Sequence, residues 1–299
     1  MAARLALGID LGGTNLRAAV IDAAGTVLRR AAVPTDVAGG PQSIIAQMLC
    51  LADELGGLAD IATAGIAAPG PLDSAAGCII GIPTLPGWEN YPLRQVMADK
   101  LARPVVLEND GIAAAVGEWT LGAGRGLDHM VYVTVSTGIG GGVIADGKVL
   151  RGSRGMAGHI GHMMIAADGP RCACGGTGCF EAMASGTAFT ASAHNAGYAD
   201  ASAAVKAARA GDASALALVD READLLGYGF ASLLHLYAPQ RLVIGGGVSD
   251  ALDLMQARIR RQIDHHAMPP FADIDIARAV LGDNAGLVGA AVLALGKEG

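Results

Sequence analysis

No apolar run in this chain is long enough to cross a membrane as a helix. Glycine or a charged residue interrupts every stretch before about 18 positions. Mean hydropathy is nevertheless +0.42, because Ala and Val dominate the apolar count. Clusters of Lys and Arg are also missing, and the formal net charge is −7. A nucleic-acid-binding surface is therefore not expected. No basic-then-apolar leader precedes the strand-like run that starts at Leu5, so a cytoplasmic protein is expected. Two phosphate signatures are absent as well. There is no GxxxxGK[ST] P-loop, and no glycine run has dinucleotide-fold spacing before a helix. Cysteine is scarce, at five in 299 residues. Cys50 and Cys78 stand in apolar surroundings and are expected to be buried core thiols.

The other three cysteines carry the strongest signal. Cys172, Cys174 and Cys179 fall within eight residues, with His162 ten residues upstream of the first. One His and three Cys form a complete ligand set for tetrahedral structural Zn²⁺. Gly175, Gly176 and Gly178 let the backbone fold back so that the thiols face one point. Four protein ligands leave no open position for water. The metal is thus expected to hold a loop, with the chemistry coming from residues on that loop.

The length suggests about two domains. Strand-like runs at 4–10, 16–21 and 26–32 are punctuated by Gly12-Gly13 and Ala24-Gly25. An amphipathic helix is predicted over 41–55, with Ile44, Ile45, Met48, Leu49 and Ala52 on one face. Strands follow at 61–67 and 104–107, then a helix at 112–121. The opening pattern then returns. A strand over 130–136, the turn Thr137–Gly142 and short strands at 143–144 and 148–150 repeat the first meander. This predicts a duplicated α/β fold. The domains are expected at 1–120 and 121–299, with the zinc segment 159–181 inserted in the second and the last helix packing back on the first. Beyond it lie helical sequence to about Tyr237, a strand at 241–244, and helices near 250–264 and 285–296.

Three glycine-rich turns each follow an apolar strand: Asp10–Asn15, Ser136–Gly142 and Gly245–Gly247. Such turns bring bare N–H groups close to a phosphate. One alone is most often a hairpin turn, but three together point to a nucleotide cleft. Asp10 ends its strand beside a glycine loop, where a carboxylate could hold Mg²⁺ through water. Asn109-Asp110 lies between a strand and a helix. It reads both as a helix cap and as a general base at a strand's carboxyl end, and these readings are compatible.

Taken in order, these motifs resemble the ROK sugar-kinase family over nearly the whole chain. The resemblance implies the actin, Hsp70 and hexokinase fold (ribonuclease H-like): two domains, an interdomain cleft and a structural zinc loop. It implies that the first two loops, with Asp10, Gly12, Gly13, Thr14, Asn15, Thr137 and Gly138, embrace ATP phosphates with Mg²⁺. Gly245, Gly246 and Gly247 would contact the adenosine. Asp110 would be the catalytic base toward a sugar hydroxyl. His162, Cys172, Cys174 and Cys179 would bind Zn²⁺, while Asn109, His159, His162, Glu181 and Gly70 would contact the hexose.

Two substrate signals conflict. Many glucokinases of the family carry Gly-Glu-x-Gly-His, whereas this chain has Gly158-His159-Ile160-Gly161-His162, which resembles bacterial N-acetylmannosamine kinases. Leu85–Asn90, with Trp88, instead resembles a glucokinase stretch. Trp88 is also readable as a packing anchor. Glucose 6-phosphorylation is expected first, and phosphorylation of an N-acetylhexosamine such as N-acetylmannosamine is the alternative. A sugar-sensing regulator would need a DNA-binding segment, for which the start of this chain leaves no room. The family further implies a homodimer or homotetramer with neither nucleic-acid nor membrane partners. His265-His266 near a helix end, and His129, His194 and His235, are expected to be inert.

Overall fold

The computed structural model describes residues 4–296. Two five-stranded sheets repeat one strand plan. In the first, β1 (Leu5–Leu11), β2 (Asn15–Ile21), β3 (Val27–Pro34), β4 (Ile61–Ala68) and β7 (Val105–Asn109) lie in the order β3-β2-β1-β4-β7. In the second, β8 (Met130–Val135), β9 (Ile139–Ala145), β10 (Lys148–Val149), β11 (Arg241–Gly245) and β12 (Asp275–Arg278) lie in the order β10-β9-β8-β11-β12. A small hairpin, β5 (Leu72–Asp73) with β6 (Cys78–Ile79), stands apart. The duplication expected from the sequence is present in the strand order itself.

By internal packing the chain forms two compact units. One comprises Met1–Gly126, Gly142–Gly158 and Val280–Gly299, and the other Leu127–Gly141 and His159–Ala279. In the first unit, α1 (Gly40–Glu54), α2 (Leu93–Leu101) and α3 (Asp110–Leu121) join the sheet. Ile44, Ile45, Met48, Leu51 and Ala52 form the buried stripe of α1. That stripe leaves Cys50 facing outward, and Cys78 is half-buried on β6. The expectation of two core thiols is thus corrected: helix phase, not local apolarity, decides exposure. Trp88 is fully buried with its ring edge-on to Tyr91, which makes it a packing anchor.

The last helix, α9 (Ala285–Ala294), is apolar on nearly all sides and buried within the first unit. It packs against β1, β4 and α3. A Cβ at Gly65 would lie 1.9 Å from the Ala290 carbonyl, and one at Gly289 would lie 1.6 Å from the Ala113 carbonyl. The missing side chains are what let α9 sit on the sheet at backbone distance. Glu118, fully buried, closes this corner by accepting from Ala123 N (2.8 Å) and Leu281 N (2.7 Å).

The second unit carries α4 (Phe180–Ala184), α5 (Gly186–Asn195), α6 (Ala201–Arg209), α7 (Ala213–Tyr237) and α8 (Leu252–His266). Phe180 and Phe230 meet edge-to-face, anchoring the start of α4 on the long α7. Among the described residues, no helix is long and apolar enough to cross a membrane.

Candidate active site and metal centre

In the first unit, β1, β4 and β7 run parallel, so their carboxyl ends share one edge. Asp10 pairs in register with Ala67, and Ala68 with Asn109. This edge therefore collects Asp10, the turn holding Gly70 two residues past β4, and Asn109-Asp110. Ligands of open α/β sheets bind at such carboxyl ends.

Asn109 caps α3, its Oδ1 accepting from Gly111 N (3.1 Å) and Ile112 N (3.3 Å). Asp110 follows as the first helical residue, and its Oδ1 accepts from Gly111 N at 2.8 Å. The Asp110 side chain reaches solvent yet is closely surrounded by protein. This enclosure pushes its carboxyl up to about 6. The Gly111 N–H opposes the rise, the Asp10 charge adds to it, and the Asn109 side chain opposes it more weakly.

Asp10 faces Arg17 directly across the β1–β2 pair, with Arg17 Nη1 at 3.2 Å from Asp10 Oδ2. Enclosure raises the Asp10 carboxyl, and Arg17 works against that rise. The following loop is tied down by its carbonyls. Gly12 O accepts from Thr35 Oγ1 (2.7 Å), and Thr14 O accepts from Thr35 N (2.9 Å). Gly13, Thr14 and Asn15 are left exposed.

In the second unit, His162, Cys172, Cys174 and Cys179 bring their ligand atoms within 4.8 Å of one another. The Cys174–Cys179 sulfurs lie 3.6 Å apart, and Cys172 Sγ lies 3.7 Å from His162 Nδ1. In a tetrahedron with Zn–S near 2.3 Å, adjacent sulfurs stand roughly 3.7–3.8 Å apart. The four residues therefore fit a structural zinc ion. Gly178, at φ +66°, lies so close to Ala166 that a Cβ would stand 1.6 Å from its carbonyl oxygen. Only glycine permits that turn.

Glu181 leaves this loop at the start of α4. Its Oε2 accepts from Ile139 N (3.0 Å), the amide that ends the second glycine turn. Its Oε1 lies 4.0 Å from Cys172 Sγ. A Cβ at Gly138 would be 2.4 Å from Glu181 Oε2, so the carboxylate occupies the space a side chain would need. His159 and His162 stack with ring centroids 6.2 Å apart. Burial first, and the neighbouring His162 second, lower the His159 pKa.

The second and third glycine turns share a cavity of about 600 Å³. Ser136, Thr137, Gly247, Thr187, Asp200 and Asp250 are among its walls. Gly246, one residue earlier, has φ +80° and lies too close to the Val135 carbonyl for a side chain. Gly245 packs on the Tyr132 ring in the same way. The N-terminus of α5 completes the wall, since Gly186 N donates to Ser136 O (2.7 Å) and Thr187 Oγ1 to Thr137 O (2.7 Å).

Each residue anticipated from sequence thus lies in one of two clusters. Asp10, Gly12, Gly13, Thr14, Asn15, Gly70, Asn109 and Asp110 belong to the first unit. Thr137, Gly138, His159, His162, Glu181, Gly245, Gly246, Gly247 and the three cysteines belong to the second. Sequence reasoning missed Arg17, Glu108, Arg151 and the Gly186-Thr187 wall. For Arg17 a signal existed, because it stands opposite Asp10 in a tight hairpin. The other partners come from distant segments.

The chain matches the ROK family over residues 6–297. It belongs to that family. A glucokinase from Thermotoga maritima is 34% identical over 303 residues, covering 95% of each chain. An N-acetylmannosamine kinase from Escherichia fergusonii is 36% identical over 297 residues, covering 98% of this chain and 99% of its own. The crystal structure of a ROK family glucokinase from Streptomyces griseus, in complex with glucose and AMPPNP, has a TM-score of 0.85 at 33% identity. It covers 98% of this chain and 99% of that one. The ROK sugar-kinase fold expected from the sequence motifs is the fold observed.

Proposed function

We propose that this ROK protein transfers the γ-phosphoryl group of ATP to the 6-hydroxyl of a hexose, with glucose as its main substrate. The observation that carries the reading is Asp110, at the junction of β7 and α3, with a carboxyl raised to about 6. It is ionised at neutral pH yet basic enough to take a proton from a hydroxyl in the transition state. Asn109 keeps that carboxylate oriented through the cap it makes on α3. With Gly70, it is assigned to sugar hydroxyls. The exposed amides of Gly13, Thr14 and Asn15, together with Gly12, are assigned to ATP phosphates. The Thr137-Gly138 turn serves the same end, and the cavity beside Gly245–Gly247 suits the adenosine.

Phosphoryl transfer needs positioning and charge neutralisation more than covalent help. Mg²⁺ supplies neutralisation of phosphate charge when bound. Asp10 is the residue placed to hold it through water, and Asp110 feels the repulsion of the Asp10 charge, so this edge favours a cation. Zn²⁺ supplies rigidity and no reaction step. His162, Cys172, Cys174 and Cys179 hold it, which fixes the loop carrying Glu181. Glu181, His159 and His162 are assigned to the sugar. Cytoplasmic location and a homodimer or homotetramer complete the proposal and rest on the family resemblance.

One residue favours a second reading, N-acetylmannosamine as acceptor. His159 replaces an acceptor-only carboxylate with an imidazole that can donate or accept, and the relatives include kinases for that sugar. ADP release with glucose, mannose, N-acetylglucosamine and N-acetylmannosamine, compared by kcat/KM, tests the choice. Preference for glucose supports the main reading, and preference for N-acetylmannosamine replaces it with the second.

A further inference from the structure

Glu108 is 2% exposed, two residues before Asp110. Its carboxylate joins two segments of the chain. Oε1 accepts from the Asn109 N–H at 3.0 Å, just where the strand turns into the helix. Oε2 accepts from Arg151 Nε at 3.0 Å. Asn109 in turn holds the first amides of α3, and Asp110 shares the Gly111 amide. A continuous run of hydrogen bonds therefore leads from Arg151 through Glu108 and Asn109 to Asp110.

Attachment of the segment Gly142–Gly158 does not account for the pair. That segment is anchored independently. Arg154 Nε meets Asp73 Oδ2 at 3.0 Å. Gly142 packs so closely on α3 that a Cβ would lie 2.6 Å from the Ala115 Cβ. Stability alone explains it no better, because the Arg151 side chain is 35% exposed and a solvent-screened partner returns little against the cost of burying the Glu108 carboxylate. What the pair does, and an apolar replacement could not, is hold the Asn109 amide with a charged acceptor at a fixed place.

We infer that Glu108 and Arg151 are positioning residues that fix the β7–α3 turn and so aim the Asp110 carboxylate at its acceptor. The catalytic half of this inference rests on the proposed kinase reading. The groups facing Asp110 are Asp10 on β1, with Arg17 beside it, and the Asn109 side chain and Gly111 N–H of its own turn. Removing Arg151 takes a positive charge from the neighbourhood of Asp110, whereas neutralising Glu108 takes a negative one. The two changes push the Asp110 pKa in opposite directions.

The test compares Glu108→Gln, Arg151→Leu, Arg151→Lys and the double variant Glu108→Gln/Arg151→Leu with wild type. Readouts are kcat, KM for sugar and for ATP, the acidic limb of the kcat profile, and hydrogen exchange at residues 109–112. The single variants Glu108→Gln and Arg151→Leu should lose about 10- to 100-fold in kcat, with both KM values within about threefold. The acidic limb should rise for Arg151→Leu and fall for Glu108→Gln. Arg151→Lys should recover most of kcat. Exchange at 109–112 should quicken in both single variants. If a single variant does not fold, the double variant, in which both charges of the pair are removed, should show the kcat loss with its limb at the wild-type position. Unmoved limbs, or kcat and KM falling together, would overturn the inference. A wild-type protein that turns over no sugar would instead overturn the kinase reading, and unchanged exchange at 109–112 would then remove the positioning role as well.

Discussion

As the proposed base, Asp110 meets two opposed requirements. A base must be ionised, and enclosure by protein resists ionisation. With the carboxyl at about 6, the base is charged above that pH and protonated below it. Sugar kinase kcat/KM should therefore fall about tenfold per pH unit below pH 6, as a pH–rate profile would show. The same shift has a stability consequence. The folded-state pKa lies above the ordinary carboxylate value of 3.8. The ionised group therefore opposes folding, with no penalty below about 4 and the full penalty above about 6. Because the side chain reaches solvent, that penalty is screened and small. Asp110→Asn should raise the melting temperature at pH 7.5 by about 1–2 °C while retaining sugar binding. A fall in melting temperature would show that the carboxylate supports the fold. His159 sets the other prediction at this scale. His159→Glu should raise the kcat/KM ratio of glucose over N-acetylmannosamine about tenfold or more, measured with both sugars on both proteins.

At the scale of elements, two short junctions carry the proposed site: the β7–α3 turn and the loop of Cys172, Cys174 and Cys179. The loop has little regular structure of its own, because α4 is only five residues long. Phe180 against α7 anchors one end of it, and in the proposed reading a zinc ion on His162, Cys172, Cys174 and Cys179 would hold the rest. Cys174→Ser should abolish stoichiometric zinc and lower the melting temperature by about 5 °C or more, read by metal analysis and calorimetry. A wild-type protein without zinc, melting like the variant, would contradict the structural-metal assignment. These junctions were legible in the sequence because each is a local pattern: strand, glycine turn, acid, or a fixed Cys spacing. Strand and helix positions were legible for the same reason, and α1 and α9 lie within a few residues of their expected bounds. What stayed hidden was non-local. The edge strand β12 is only four residues long and gives no alternation to read. Glu108 carries no local signal of its role, since nothing near it in sequence announces Arg151 forty-three residues later. Cys50 was misread because its neighbours are apolar while its helical phase points outward.

For the whole molecule, duplication is the organising fact. One strand plan, used twice, produces two carboxyl edges that each receive a glycine turn. In one unit that edge also receives Asp110, and in the other Glu181 from the cysteine loop. The chain then departs from simple repetition by returning α9 to the first unit, where Gly65 and Gly289 admit it at backbone distance. The whole arrangement is consistent with a kinase that positions its substrates and depends on one proton acceptor. The most direct measurement of that claim is sugar-dependent ADP release from Mg·ATP by wild type and Asp110→Asn side by side, with the sugar product analysed for phosphate at the 6-position. The account predicts hexose 6-phosphate from wild type and at least about a thousandfold less from the variant. Equal turnover by the two proteins, or no sugar-dependent ADP release from wild type, would contradict it.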